Sequence, residues 1–223
     1  MVNALCFMLF STVEGMSMFA IMLSLFRYRI TEYFHYYLVL SILMSAASYW
    51  MWQVGGAPEY VPVMSALLFS LSVLVRYRIS AIAAILMALT GYLVFGMLQS
   101  IVVYVLEAGT LVQMERIQSN TGDTYLMQLV NSLLLFALSY MLYRKGFGFT
   151  FPLSWIEVKE GNTLLLSSIS AAFVFIAGVS LLHSRVHAAA AVFFLILLLL
   201  LNVLNRKEQR HVRSLVQAHR RYD

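Results

Sequence analysis

The chain has 223 residues, 61% of them hydrophobic and 11% charged, with a formal charge of +5. The charged share is about half that of a soluble domain, and seven apolar stretches use up the length, which leaves no room for a separate soluble domain. The basic excess reads as anchoring at an anionic lipid surface rather than nucleic-acid affinity, and the single cysteine, Cys6, excludes an internal disulfide or a cysteine-based metal cluster.

The apolar stretches lie at 3–26, 34–54, 57–75, 79–106, 126–143, 163–183 and 187–204, each near the length an α-helix needs to cross a bilayer. Positions 1–5 lack a basic residue and no small-residue cleavage signal follows, so the first stretch is expected to stay as a span. Glu14 lies near its middle. A carboxylate at that depth costs about 2.5–3.5 kcal/mol to insert, and such acids face the bundle interior and mark functional paths. No Lys or Arg stands at matching depth, so Glu14 is expected to be neutral and to hydrogen-bond Asn131, Gln128 or Gln99. The equal alternative is a helix-packing hydrogen bond, aided by the small neighbours Gly15 and Ser17.

Arg27-Tyr28-Arg29-Ile30-Thr31 follows the first stretch and Arg76-Tyr77-Arg78-Ile79-Ser80 the third, each after a Leu-Ser pair (Leu23-Ser24, Leu71-Ser72). A fainter copy, Leu138-Ser139 and then Tyr143-Arg144-Lys145, follows the fifth. The repetition fits duplication of a two-helix unit, and equally the general need for an Arg/Tyr anchor where helices meet headgroups. Turns this short make successive helices antiparallel neighbours. Gly55-Gly56 and Pro58 mark an outer turn before the third stretch. Gln99-Ser100 in the fourth and Asn131-Ser132 in the fifth read as interhelical packing groups, with a ligand pocket as the alternative. The outer gap 107–125 is polar, with Asn120-Thr121-Gly122-Asp123 as its tip, while the inner gap 146–162 opens on alternate phenylalanines suited to the headgroup level. His183 and His187 flank Arg185 without a nearby carboxylate, which favours interfacial solvation over a metal site.

Charge placement sets the expected topology. Arg27, Arg29, Arg76, Arg78, Arg144, Lys145 and Lys159 occupy alternate gaps, and Arg206, Lys207, Arg210, Arg213, Arg220 and Arg221 the tail. Only Arg116 and Arg185 fall on the other side. Basic residues near span ends are retained in the cytoplasm. The expectation is an all-α, multi-pass bundle of seven spans in a bacterial inner (cytoplasmic) membrane, N-terminus outside and C-terminus inside. Residues 1–205 form the membrane domain and 206–223 a cytoplasmic helical tail, on which Val212, Leu215, His219 and Tyr222 make an a/d stripe. Two turns of such a stripe do not hold a coiled coil alone, so the tail is expected to begin a longer signalling or dimerisation helix. No phosphate-binding glycine loop, His-Glu-x-x-His motif or nucleophile elbow occurs, and the seventh span carries no lysine for a retinal Schiff base. Neither a catalytic residue, a cofactor nor a metal is expected.

The seven-span layout, the stretch Tyr143-Arg144-Lys145-Gly146-Phe147-Gly148-Phe149-Thr150-Phe151-Pro152 and the ending Leu215-Val216-Gln217-Ala218-His219-Arg220-Arg221-Tyr222-Asp223 resemble the membrane half of Gram-positive sensor histidine kinases. The resemblance is to the accessory-gene-regulator and sporulation-phosphotransferase-like groups. In those families the sensor continues as a helix into a hairpin bearing a His-Asp-x-x-Asn phosphoacceptor box, followed by an ATP-binding domain. This sequence departs from that pattern, since His219 is followed by Arg220 and the box and kinase domain are missing. The resemblance implies a homodimeric sensor in the lipid bilayer. It would detect an extracytoplasmic or membrane-borne peptide or small molecule and relay it to a separate or downstream kinase domain. A small seven-helix secondary transporter is the second reading and a structural membrane subunit the third. Transporters use Pro/Gly-broken helices, and only Pro58, Pro62 and Pro152 occur here.

Overall fold

The computed structural model describes residues 2–53, 60–110, 122–149 and 194–206, with Ser170, Gln209 and Arg213 as isolated positions. They form α1 (Val2–Leu25), α2 (Phe34–Gln53), α3 (Val61–Tyr77), α4 (Ala81–Ala108), α5 (Gly122–Lys145) and α6 (Phe194–Arg206), with a short 3-10 turn at Ile30–Tyr33. No strand occurs among the described residues. Ala4–Leu25, Ala81–Ala108 and Gly122–Lys145 are each long and apolar enough to cross a membrane; α3 is apolar but shorter, and the described part of α6 is apolar. Apart from Ser170, the stretch expected at 163–183 lies outside the described residues, as do the outer turn 54–59, the loop 111–121 and the inner gap from Thr150.

Local chemistry explains where the helices begin. The third starts at Val61, later than the expected 57, and places Pro62 in its first turn, where a missing N–H breaks no helical bond. Ser80 caps α4 by accepting the Ala83 backbone N–H at 3.3 Å. The fifth starts at Gly122, earlier than the expected 126, with Asp123 in its first turn, where an acid favours the helix dipole.

Helix α1 is the hub. It packs against α2, α4 and α5, and every residue from Gly15 to Ser24 is buried. A helix apolar on all sides has no preferred outer face and belongs inside a bundle. Gly91 of α4 permits the closest crossing: a Cβ there would stand 2.7 Å from Met22 Cβ.

The polarity of the bundle is inverted relative to a soluble protein. Leu43, Leu67, Leu71, Ile101, Leu133 and Leu199 are exposed, while Ser41, Ser45, Ser70, Ser72, Thr90, Asn131 and Ser132 are buried. Hydrocarbon favours that arrangement, because small polar residues bring helices together where lipid offers no hydrophobic drive. The protein is therefore a membrane-embedded helical bundle.

Side-chain pairs give the helix directions. Phe7 meets Tyr49, Thr12 meets Ser45 and Phe19 meets Tyr37, so α1 and α2 are antiparallel. Phe10 stacks on Tyr125, Glu14 bonds Gln128 and Ser24 bonds Ser139, so α1 and α5 run parallel. The Tyr28 and Tyr77 rings, 4.2 Å apart, bring the C-terminal ends of α1 and α3 together.

Candidate functional site

Two polar regions stand out against the apolar bundle. The first is the seam between α1 and α5. Gln128 Nε2 donates to Glu14 Oε2 at 3.0 Å, and Ser17 Oγ donates to the Glu14 carbonyl at 2.7 Å. On α5, Gln128 is followed three and four residues later by Asn131 and Ser132, which helical geometry places on the same face. Both are fully buried. Asn131 Oδ1 and Nδ2, Ser132 Oγ and Gln128 Oε1 have no hydrogen-bond partner among the described residues. Toward α2, Thr12 donates to Ser45 at 3.1 Å, and Gly15 leaves room for Ser41, whose Oγ lies 3.2 Å from the position a Cβ would take.

The sequence offered three partners for Glu14, and the fold selects Gln128. Gln99 is half-buried on α4, and no hydrogen bond joins it to Glu14. Neighbouring Ser100 returns its hydroxyl to the Gly96 carbonyl at 2.8 Å. Asn131 sits on the Glu14 side of α5 without bonding the carboxyl.

The second region is one end of the bundle, where the three basic connections converge. Arg27 donates to the Gly146 carbonyl and Arg29 Nε to the Tyr143 hydroxyl. Arg76 lies over the Tyr33 ring, 3.4 Å from its centroid, a cation–π contact. Arg78, Arg144 and Lys145 are exposed at the same end. Burial pushes the Tyr28 phenol above its ordinary pKa. Arg27 (φ 59°) and Arg78 (φ 52°) adopt the left-handed conformation that ends α1 and α3. An arginine there is strained by about 1–2 kcal/mol, offset in part by a cation beside the negative end of a helix dipole.

Sequence reasoning placed Gly146 to Phe149 at the headgroup level but missed its partner. Phe149 N–H donates to the Leu25 carbonyl at 2.8 Å, and its ring packs 5.7 Å from Phe26. Gly148 (φ 143°) permits this approach, since a Cβ would fall 2.9 Å from the Leu25 carbonyl oxygen. The segment thus satisfies a free carbonyl at the end of α1. Only the repeated Leu-Ser and Arg-Tyr patterns hinted at such pairing: Ser24 meets Ser139, and Tyr28 meets Tyr77. The relay stripe Val212, Leu215, His219 and Tyr222 lies outside the described residues, as do His183 and His187. No group of three or more His, Cys, Asp or Glu suited to a metal occurs among the described residues.

No protein-family model matches the chain, and neither the curated proteins nor the solved structures contain a significant match to it.

Proposed function

We propose that the chain is a sensor and signal-transduction module of a bacterial cytoplasmic membrane. It has seven spans, an external N-terminus and a cytoplasmic C-terminus. Its polar interior around Glu14, Gln128 and Asn131 receives a ligand, and its last helix carries the change to a histidine kinase-type output. The observation that carries this reading is the packing of α6. Leu197, Leu200 and Leu204 belong to the same buried core as Phe19 and Leu23 of α1 and Leu135 of α5. A shift of α1 against α5 therefore has a packed route into the helix that leads toward the tail. Interiors this close-packed pass on displacements as rigid-body shifts rather than absorb them.

The convergence of Arg27, Arg29, Arg76, Arg78, Arg144 and Lys145 at one end of the bundle supports the orientation, because basic residues mark the cytoplasmic side. The intramembrane carboxyl of Glu14 favours a second reading, a small secondary transporter, since such acids also line proton and ion paths. A transporter needs no dimeric relay helix.

Disulfide cross-linking separates the two. Single cysteines at Val212, Leu215 and Tyr222, in a Cys6→Ser background, are expected to cross-link two copies more readily than cysteines at Arg213 or Gln217. Glu14→Leu is expected to change that pattern, and Glu14→Gln to preserve it. Uniform cross-linking around the helix, or a pattern indifferent to Glu14→Leu, would sink the relay and leave the transporter or subunit readings.

A further inference from the structure

Several buried hydroxyls in this bundle close on their own helix. Ser70 donates to the Ala66 carbonyl at 2.8 Å, Ser72 to Phe69 at 2.7 Å and Thr90 to Leu86 at 2.7 Å. Such back-bonding is the ordinary resting place for a hydroxyl in an apolar helix. Ser132 leaves the equivalent acceptor, the Gln128 carbonyl, unused, and its Oγ has no partner among the described residues. One residue before it, Asn131 is fully buried, with both amide atoms unpartnered among the described residues. One turn earlier, Gln128 holds Glu14 through its nitrogen, and its Oε1 has no partner among the described residues. Neighbouring orphan groups on one helix face, beside a carboxyl, are a costly arrangement unless a guest meets them.

The charge of the site restricts that guest. Glu14 is the only charged side chain in the middle of α1, α2, α4 or α5. The others on the packed helices lie toward their ends: Arg76 on α3, Glu107 on α4, Asp123, Arg144 and Lys145 on α5, and Arg206 on α6. When a cation displaces the proton expected on Glu14, the resulting carboxylate balances one positive charge. Its companions Gln128 Oε1, Asn131 Oδ1 and Ser132 Oγ are hard oxygen donors. A divalent ion is disfavoured, because calcium sites draw on several carboxylates and magnesium retains most of its water.

We propose that the α1–α5 seam binds a small monovalent cation, Na+ or a primary ammonium, between the Glu14 carboxylate, Gln128 Oε1, Asn131 Oδ1 and Ser132 Oγ. A cation that keeps a water also gives the Asn131 amide N–H an acceptor. The assignment rests on reading this interior as a ligand site, as proposed above, but not on the relay through α6.

The test uses the purified full chain in lipid nanodiscs, with thermal unfolding followed by tryptophan fluorescence. NaCl or methylammonium chloride is titrated against choline chloride at constant ionic strength. A saturable rise of about 5–10 °C at a roughly hundredfold excess over Kd is expected with at least one of the two cations. The one that acts identifies the source. The rise should vanish in Glu14→Gln and shrink in Asn131→Leu, while Glu32→Gln, an acid at the basic end, should retain it. No saturable rise with either cation, or an undiminished rise in Glu14→Gln, would overturn the site. Should the variants fail to fold, the carboxylate stretching bands of the unmodified protein, recorded by infrared difference between Na+ or methylammonium and choline, decide. A cation-dependent shift of those bands supports the site, and identical spectra reject it. Cation-dependent stabilisation together with an indifferent tail cross-linking pattern would reject the relay and keep the cation.

Discussion

The Ser24 and Ser139 hydroxyl oxygens lie 2.6 Å apart in the interior, tying together two helices that run in the same direction. Ser139 donates its own proton to the Ala20 carbonyl at 3.0 Å, so Ser24 is the donor of the pair. Glu14 with Gln128, toward one end of the seam, and Arg29 with Tyr143, at the other, keep the same register to within one residue. Along its length α5 is thus held to α1 by polar contacts spaced through an apolar interface.

That order of donation gives an unequal cost to the two serines. Ser139→Ala removes both bonds and strands the Ser24 hydroxyl, with an expected loss of about 1–2 kcal/mol; Ser24→Ala removes one bond and should cost about half as much. The double variant should be no less stable than Ser139→Ala alone. Unfolding in mixed micelles measures all three, and additive losses would show that the hydroxyls do not interact.

The crossing of α1 and α4 predicts a steric asymmetry between two glycines. Gly91→Ala places a Cβ 2.7 Å from Met22 Cβ and 3.1 Å from Met22 Cα. The helices must then move apart, at about 1–3 kcal/mol. Met22→Ala removes only the 3.1 Å contact with Cγ and should not rescue it, because the Cβ and Cα atoms remain. Gly15→Ala meets Ser41 Oγ at 3.2 Å, a contact that a rotating hydroxyl relieves in part, so the milder effect belongs there. Equal melting temperatures for the two variants would contradict the crossing.

The proposed orientation is open to direct mapping. Reporter fusions at Thr121 should be active only as extracytoplasmic reporters, and fusions at Gly148 or Asp223 only as cytoplasmic ones. Replacing Arg27, Arg29, Arg76 and Arg78 together by Gln should produce a mixed orientation, since the basic bias is what holds those turns inside. One compartment for both Thr121 and Asp223 would overturn the odd span count.

Helix positions and the polar character of the interior were legible in the sequence, because long apolar runs, paired Arg-Tyr turns and an isolated Glu14 are local features with direct physical meaning. Helices α1 to α5 begin and end within a few residues of those runs, and Gln128 was among the partners named for Glu14. Who packs against whom was not legible. In a soluble helix an apolar stripe points to the core, but here α1 is apolar around its whole circumference, so its periodicity carries no direction. Only the tertiary structure made α1 the hub, set α5 parallel to it and chose Gln128 over Gln99. It also buried Asn131 and Ser132 on the Glu14 side of α5 without partners among the described residues. Those outcomes depend on close contacts such as Gly91 against Met22 and Gly148 against Leu25, where the fit of two distant segments decides the result and neither segment alone encodes it.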